Sequence, residues 1–279
     1  MIDELRSLFF HFPHALLAGV LIAAVCSMLG VFTVLKRVVF IGITLSEVAA
    51  CGLAAAMVWQ IHPFIGAGAL TALAVAVLSY PFETVRLPRD AVLGVMFVGA
   101  SAVSILLVSR SGFGLNEVKM LLYGDLILAS REDLKMLLIT LLPVLVYLPA
   151  FFRPTLYTFL DREAARLLGV RVVVWELLYF FALGLTVSAA SKVAGSLLIF
   201  CYLVVMPAAA LLLTRKIVRV MTLAVAGALV VTLVGIHGSF SRDLPTNQTV
   251  AAVACIWFLL AFFIAGLRKI FTRPAAHRQ

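Results

Sequence analysis

The chain has 279 residues; 64 % are hydrophobic, only 13 % are charged, and the mean hydropathy is +1.15. A soluble domain is about 45–50 % apolar and about 25 % charged, so these values exclude a soluble globular enzyme, a disordered chain and a fibrous protein. They leave an all-α polytopic transmembrane bundle; the net charge of +9 reads as a membrane-topology signal rather than as a nucleic-acid surface.

A membrane crossing takes about 20 apolar residues, which leaves room for at most about ten spans and for no large soluble domain. Residues 1–279 therefore read as one membrane domain. Nine apolar segments are predicted, at about 13–35, 38–59, 61–82, 91–109, 134–152, 172–191, 193–214, 220–238 and 249–267. The expectation is 8–9 membrane segments. Asp3 and Glu4 precede the first run, unlike the basic start of a secretory signal, and that run is expected to be a retained membrane helix. Between the fourth and fifth segments, Leu115–Ser130 is amphipathic and too short to span. It reads as an interfacial helix or as a re-entrant piece packed on protein.

Residues 153–171 make a longer connection with a helical pattern of its own. Leu160, Ala164, Leu167 and Leu168 share a face at spacings of three and four. Asp161 stands as a start signal and Gly169 as a stop. A helix over about 159–170 is expected, either docking on a soluble partner or lying on the membrane.

The basic residues orient the chain. With the N-terminus outside and the C-terminus inside, fifteen Lys and Arg fall in inside loops and seven outside, which satisfies the positive-inside rule. Cys26, Cys51, Cys201 and Cys255 each stand alone in an apolar run and read as small buried hydrophobes rather than as disulfides or metal ligands.

Glu47 is the residue most in need of explanation. An ionisable group at mid-span costs about 2.5–3.5 kcal/mol to insert and faces the bundle interior or an aqueous cavity. Thr44 and Ser46 add hydroxyls beside it. It reads as a cation ligand or a proton-carrying acid on a translocation path, or else as a protonated carboxyl bonded between helices. His62 at one helix end, with His237 and Asp243 beside the loop 238–248, are weaker candidate metal ligands. Asp125 is similar. Lys192 reads as a snorkelling lysine, Glu176 as the partner of a loop arginine, and Pro207 as a kink in the seventh span. The sequence has no phosphate-binding G-x-x-x-x-G-K-[ST], no G-x-G-x-x-G after a strand, no H-E-x-x-H and no G-x-S-x-G. It is not read as an enzyme.

Four segments carry a family resemblance: ALLAGVLIAAVCSMLGVFTVLKRVVFIGITLSEVAACG at 15–52, LDREAARLLGV at 160–170, VAGSLLIFCYLVVMPAAALLLTR at 193–215 and DLPTNQTVA at 243–251. In this order they resemble the membrane permeases of ATP-binding-cassette importers for metal ions, the zinc, manganese and iron class. The resemblance implies an importer subunit of the bacterial inner membrane that itself binds no cofactor and transports a divalent metal. It implies a homodimer with a second copy of the chain, a separate ATPase subunit that binds and hydrolyses ATP, an extracytoplasmic metal-binding protein, and membrane lipid around the bundle. The helix 159–170 then becomes a coupling helix, with Leu160, Asp161, Glu163, Ala164, Ala165, Leu168 and Gly169 facing the ATPase. The chain departs from the pattern at Ile43, where the family has Asp, at Glu47, where it has His, and at Asn247, where it has Gly. Two alternatives stay open: an ABC permease for a non-metal cargo, and a stand-alone secondary transporter with Glu47 as its coupling acid.

Overall fold

The structure is a computed structural model that describes residues 13–78, 89–110, 124, 126–160 and 162–271. Among these residues there are helices and no strands. In a bilayer core each backbone N–H and C=O must be satisfied within the chain, and the apolar runs do so as helices. These are α1 (Pro13–Leu35), α2 (Ile41–Val58), α3 (Pro63–Leu78) and α4 (Arg89–Arg110). A 3-10 turn, Leu126–Leu128, precedes α5 (Arg131–Ala150), α6 (Phe152–Leu160), α7 (Arg162–Leu167) and α8 (Val172–Phe200). A π turn, Cys201–Val205, leads into α9 (Met206–Leu213), followed by α10 (Ile217–Arg242) and α11 (Thr246–Phe271).

Seven helical stretches among the described residues are long and apolar enough to cross a membrane, and Pro63–Leu78 is apolar but shorter. One stretch, Val172–Leu213, has 42 residues and makes two passes. The Tyr179 hydroxyl donates to the Leu29 carbonyl at 2.8 Å, while the Leu203 backbone lies against the next residue, Gly30. In a straight helix residues 179 and 203 would stand about 36 Å apart, at 1.5 Å per residue. The chain folds back at Gly195, whose φ of 65° and ψ of 170° belong to a region open essentially to glycine alone. The sixth and seventh predicted segments, 172–191 and 193–214, thus appear as two passes with the reversal at Gly195 between them.

Pro207 acts as its position predicts. It cannot donate to the carbonyl four residues back, which is that of Leu203, and the π turn lies just before it. Gly30 packs directly on that carbonyl; a side chain there would displace one helix from the other. α1 and α2 are the most buried of the spanning helices, and α4 and α11 turn most of their surface outward. Cys26, Cys51 and Cys201 are buried as expected, whereas Cys255 is exposed on α11, a correction that follows from the outward face of that helix.

Of the short segment Leu115–Ser130, the described part includes Leu126, which is fully buried and would meet any side chain placed at Gly19 of α1. That part packs on protein. Asp125 lies outside the described residues.

Candidate functional site

Glu47 sits in the second turn of α2 and is only 5 % exposed. Its carboxyl meets the Ser101 hydroxyl of α4. Around it the helices carry more hydroxyls than an apolar core needs. Ser46 Oγ lies 3.3 Å from Ser191 Oγ of α8, Thr44 donates to the Leu93 carbonyl at 3.3 Å, and Ser104 to the Ser101 carbonyl at 2.9 Å. A carboxyl among hydroxyls can hold a hard cation through oxygen, or can carry a proton.

The other candidate ligands do not join it in one centre. Among the described residues no group of three or more His, Cys, Asp or Glu could hold a metal ion. His62 is exposed ahead of α3 and lines a cleft with Asp133, Ser188 and Lys192. Asp243 ends α10 in a left-handed conformation, φ 50°, and is exposed; His237 lies in the last two turns of that helix.

At the end of the bundle opposite His62, the connection 151–171 forms two short helices where one was expected. α6 ends at Leu160 and α7 runs Arg162–Leu167, with Asp161 outside the described residues. Gly169, φ 77°, closes α7. The N–H of Gly169 donates to Arg166 and that of Val170 to Ala165, both at 3.0 Å, the paired bonds of a Schellman stop. Ala165 is fully buried, whereas Leu160, Glu163, Ala164, Leu168 and Gly169 are exposed and Leu167 is 90 % exposed. The four residues predicted to share a face, Leu160, Ala164, Leu167 and Leu168, are all uncovered.

Two ion pairs tie distant segments together. Glu176 pairs with Lys36 of the α1–α2 connection, Nζ to Oε1 2.7 Å. Lys192, expected to snorkel, keeps its side chain half exposed and bonds Asp133 Oδ1 at 2.7 Å. Asp133 also closes a capping box with Ser130, which fixes the start of α5. The Ser-x-x-Asp spacing was a readable helix-start signal, but its partner 59 residues on was not.

Asn247, a departure from the family pattern in sequence, is a staple in three dimensions. Its side-chain oxygen accepts from the Leu126 N–H at 3.3 Å, and its amide donates to the Ala194 carbonyl at 3.0 Å. It ties the fold-back at Gly195 to the 3-10 turn from the first turn of α11.

The ABC 3 transport family matches residues 10–265. The chain is 30 % identical over 275 residues to the manganese transport system membrane protein MntC of Halalkalibacterium halodurans, covering 97 % of this chain and 92 % of that protein. It is 28 % identical over 254 residues to the chelated iron transport system membrane protein YfeC of Yersinia pestis, covering 90 % and 85 %. Among solved structures, PsaBC from Streptococcus pneumoniae in complex with Fab has a similar fold, with a TM-score of 0.85 at 23 % identity, covering 96 % of this chain and 98 % of that one.

Proposed function

The chain belongs to the ABC 3 transport family, and from that premise we propose that it is the permease subunit of an ATP-driven importer whose cargo is manganese(II) or ferrous iron. The observation that carries the cargo reading is Glu47, a carboxyl buried among hydroxyls in α2. Oxygen ligands suit these harder cations, and the relatives are named for manganese and iron transport.

Two copies enclose the pathway, since one copy alone offers no complete ligand set among its described residues. The chain is one membrane domain of the bacterial inner membrane, with the N-terminus outside and the C-terminus inside. A binding protein delivers the ion to the His62 end. The exposed residues between Leu160 and Gly169 dock on the ATPase subunit, where ATP is bound and hydrolysed. Alternating access then exposes Glu47 first to one side and then to the other.

Uptake of radioactive manganese, iron and zinc into vesicles containing the chain, its ATPase and its binding protein tests this. Wild type takes up manganese or iron only with ATP. Glu47→Ala lowers that uptake at least about a hundredfold, as expected when a pathway ligand worth about 3 kcal/mol is removed, while the amount of folded protein is unchanged. ATP-driven uptake of none of the three ions overturns the cargo, and the departures at Ile43 and Glu47 then point to a different one.

A further inference from the structure

Phe159 is the last buried residue before the uncovered Leu160. Its ring centroid lies 4.6 Å from that of Tyr179 and 6.1 Å from that of Phe32. Phe32 also meets Phe152, at 5.9 Å. Above this aromatic seat stands Lys36. Its Nζ is 4.7 Å from the Phe159 centroid and 4.8 Å from that of Phe180, and it holds Glu176 at 2.7 Å. Tyr179 in turn clasps α1, with its hydroxyl 2.6 Å from Thr33 Oγ1 and donating to the Leu29 carbonyl. Three distant pieces of chain meet here: the end of α1, both turns of α6, and the start of α8.

The connection from α1 to α2 leaves no slack. Lys36 and Arg37 donate their N–H groups to Phe32 and Val34, and Val38 donates to Thr33. Arg37 is held at φ 60°, so the turn is wound tightly onto the last turn of α1. Whatever moves Lys36 moves the start of α2, and Glu47 lies in the second turn of that helix.

With the coupling role proposed above for Leu160–Gly169 as its basis, we infer that Lys36, paired with Glu176 and seated on Phe159, is the joint that carries movement of that segment into α2. The physical reason is directional. Packed interiors transmit displacement rather than absorb it, but a purely apolar seat lets a ring slide. An ammonium held over two ring faces and bonded to a carboxylate loses both attractions at once when Phe159 shifts. It therefore follows the ring. Lys36, Phe159 and Glu176 are positioning residues and touch no cargo.

The experiment measures manganese ions taken up per ATP hydrolysed, in vesicles holding the full chain with its ATPase and binding protein. Wild type, Lys36→Met, Phe159→Leu and Lys36→Arg are compared at equal amounts of assembled complex. Lys36→Met and Phe159→Leu are expected to keep hydrolysing ATP while ions per ATP fall about tenfold, within the usual range of a coupling between sites. Lys36→Arg, which keeps the charge and its place over the rings, restores the ratio. Hydrolysis and uptake that fall in proportion, with the ratio unchanged, overturn the joint and leave a structural seat. Should Lys36→Met fail to assemble, Phe159→Leu keeps the ion pair and carries the same two outcomes. A wild type without ATP-driven manganese uptake overturns the proposed function itself; a wild type that transports beside variants of unchanged ratio overturns the joint alone.

Discussion

The two lysine–carboxylate pairs have the same length, 2.7 Å, and different surroundings. Lys36 and Glu176 have side chains 14 % and 11 % exposed, with aromatic rings beneath the ammonium. Lys192 is 52 % exposed, and its partner Asp133, 13 % exposed, is shared with a helix cap. The first pair is held by shape and by low dielectric, the second mainly by its charge. What secures the Lys192 end is an uncharged group, the Asn247 amide, buried where three segments meet. A short distance between opposite charges thus says little about what it contributes; the surroundings decide.

Replacement of one partner in each pair breaks this comparison most directly. Lys36→Met takes the Lys36 ammonium away from the Glu176 carboxylate in a nearly enclosed position. A loss of about 3 kcal/mol is expected, the lower range for breaking a buried pair, read from unfolding titrations in detergent micelles. An equal effect at the other end would refute the ranking.

Next in size is Asn247→Leu. It removes the partner of the Leu126 N–H and of the Ala194 carbonyl in a site closed to water. The expected cost is about 2 kcal/mol, set by the unmade bonds, and a lower midpoint of thermal unfolding would report it. If Asn247→Leu were harmless, the fold-back at Gly195 would need no staple and the amide would be incidental.

The smallest effect belongs to Lys192→Met. A pair with its ammonium half in solvent contributes about 0–1 kcal/mol, and salt should erase most of it, because the Debye length shrinks to about 3 Å at 1 M. Unfolding of this variant and of wild type at low and high salt separates the two ends. The difference closes with salt for Lys192→Met and persists for Lys36→Met.

Much of the architecture was readable without coordinates. The runs at 13–35, 38–59 and 220–238 appear as α1, α2 and α10, because apolar length alone forces helix formation in a bilayer. Gly169 was legible as a helix stop, and it closes α7. Glu47 was conspicuous because a charge in an apolar run is conspicuous. The partners of Lys192, Glu176 and Asn247 were not legible for one reason: each lies at least 50 positions away. Hydropathy ranks a lysine or an asparagine by its own cost and has no information on what it will meet.

The division follows from the range of the forces. Local terms, namely apolar run length, turn chemistry and the distribution of Lys and Arg, act within a few residues and were already present in the sequence: the helices, their approximate ends and the family pattern. Tertiary packing alone decided that Asn247 ties the reversal at Gly195 to the 3-10 turn, and that Phe159, Lys36 and Glu176 share one seat. Those contacts form only when the helices close-pack, and close packing selects shapes across the whole bundle rather than along the chain.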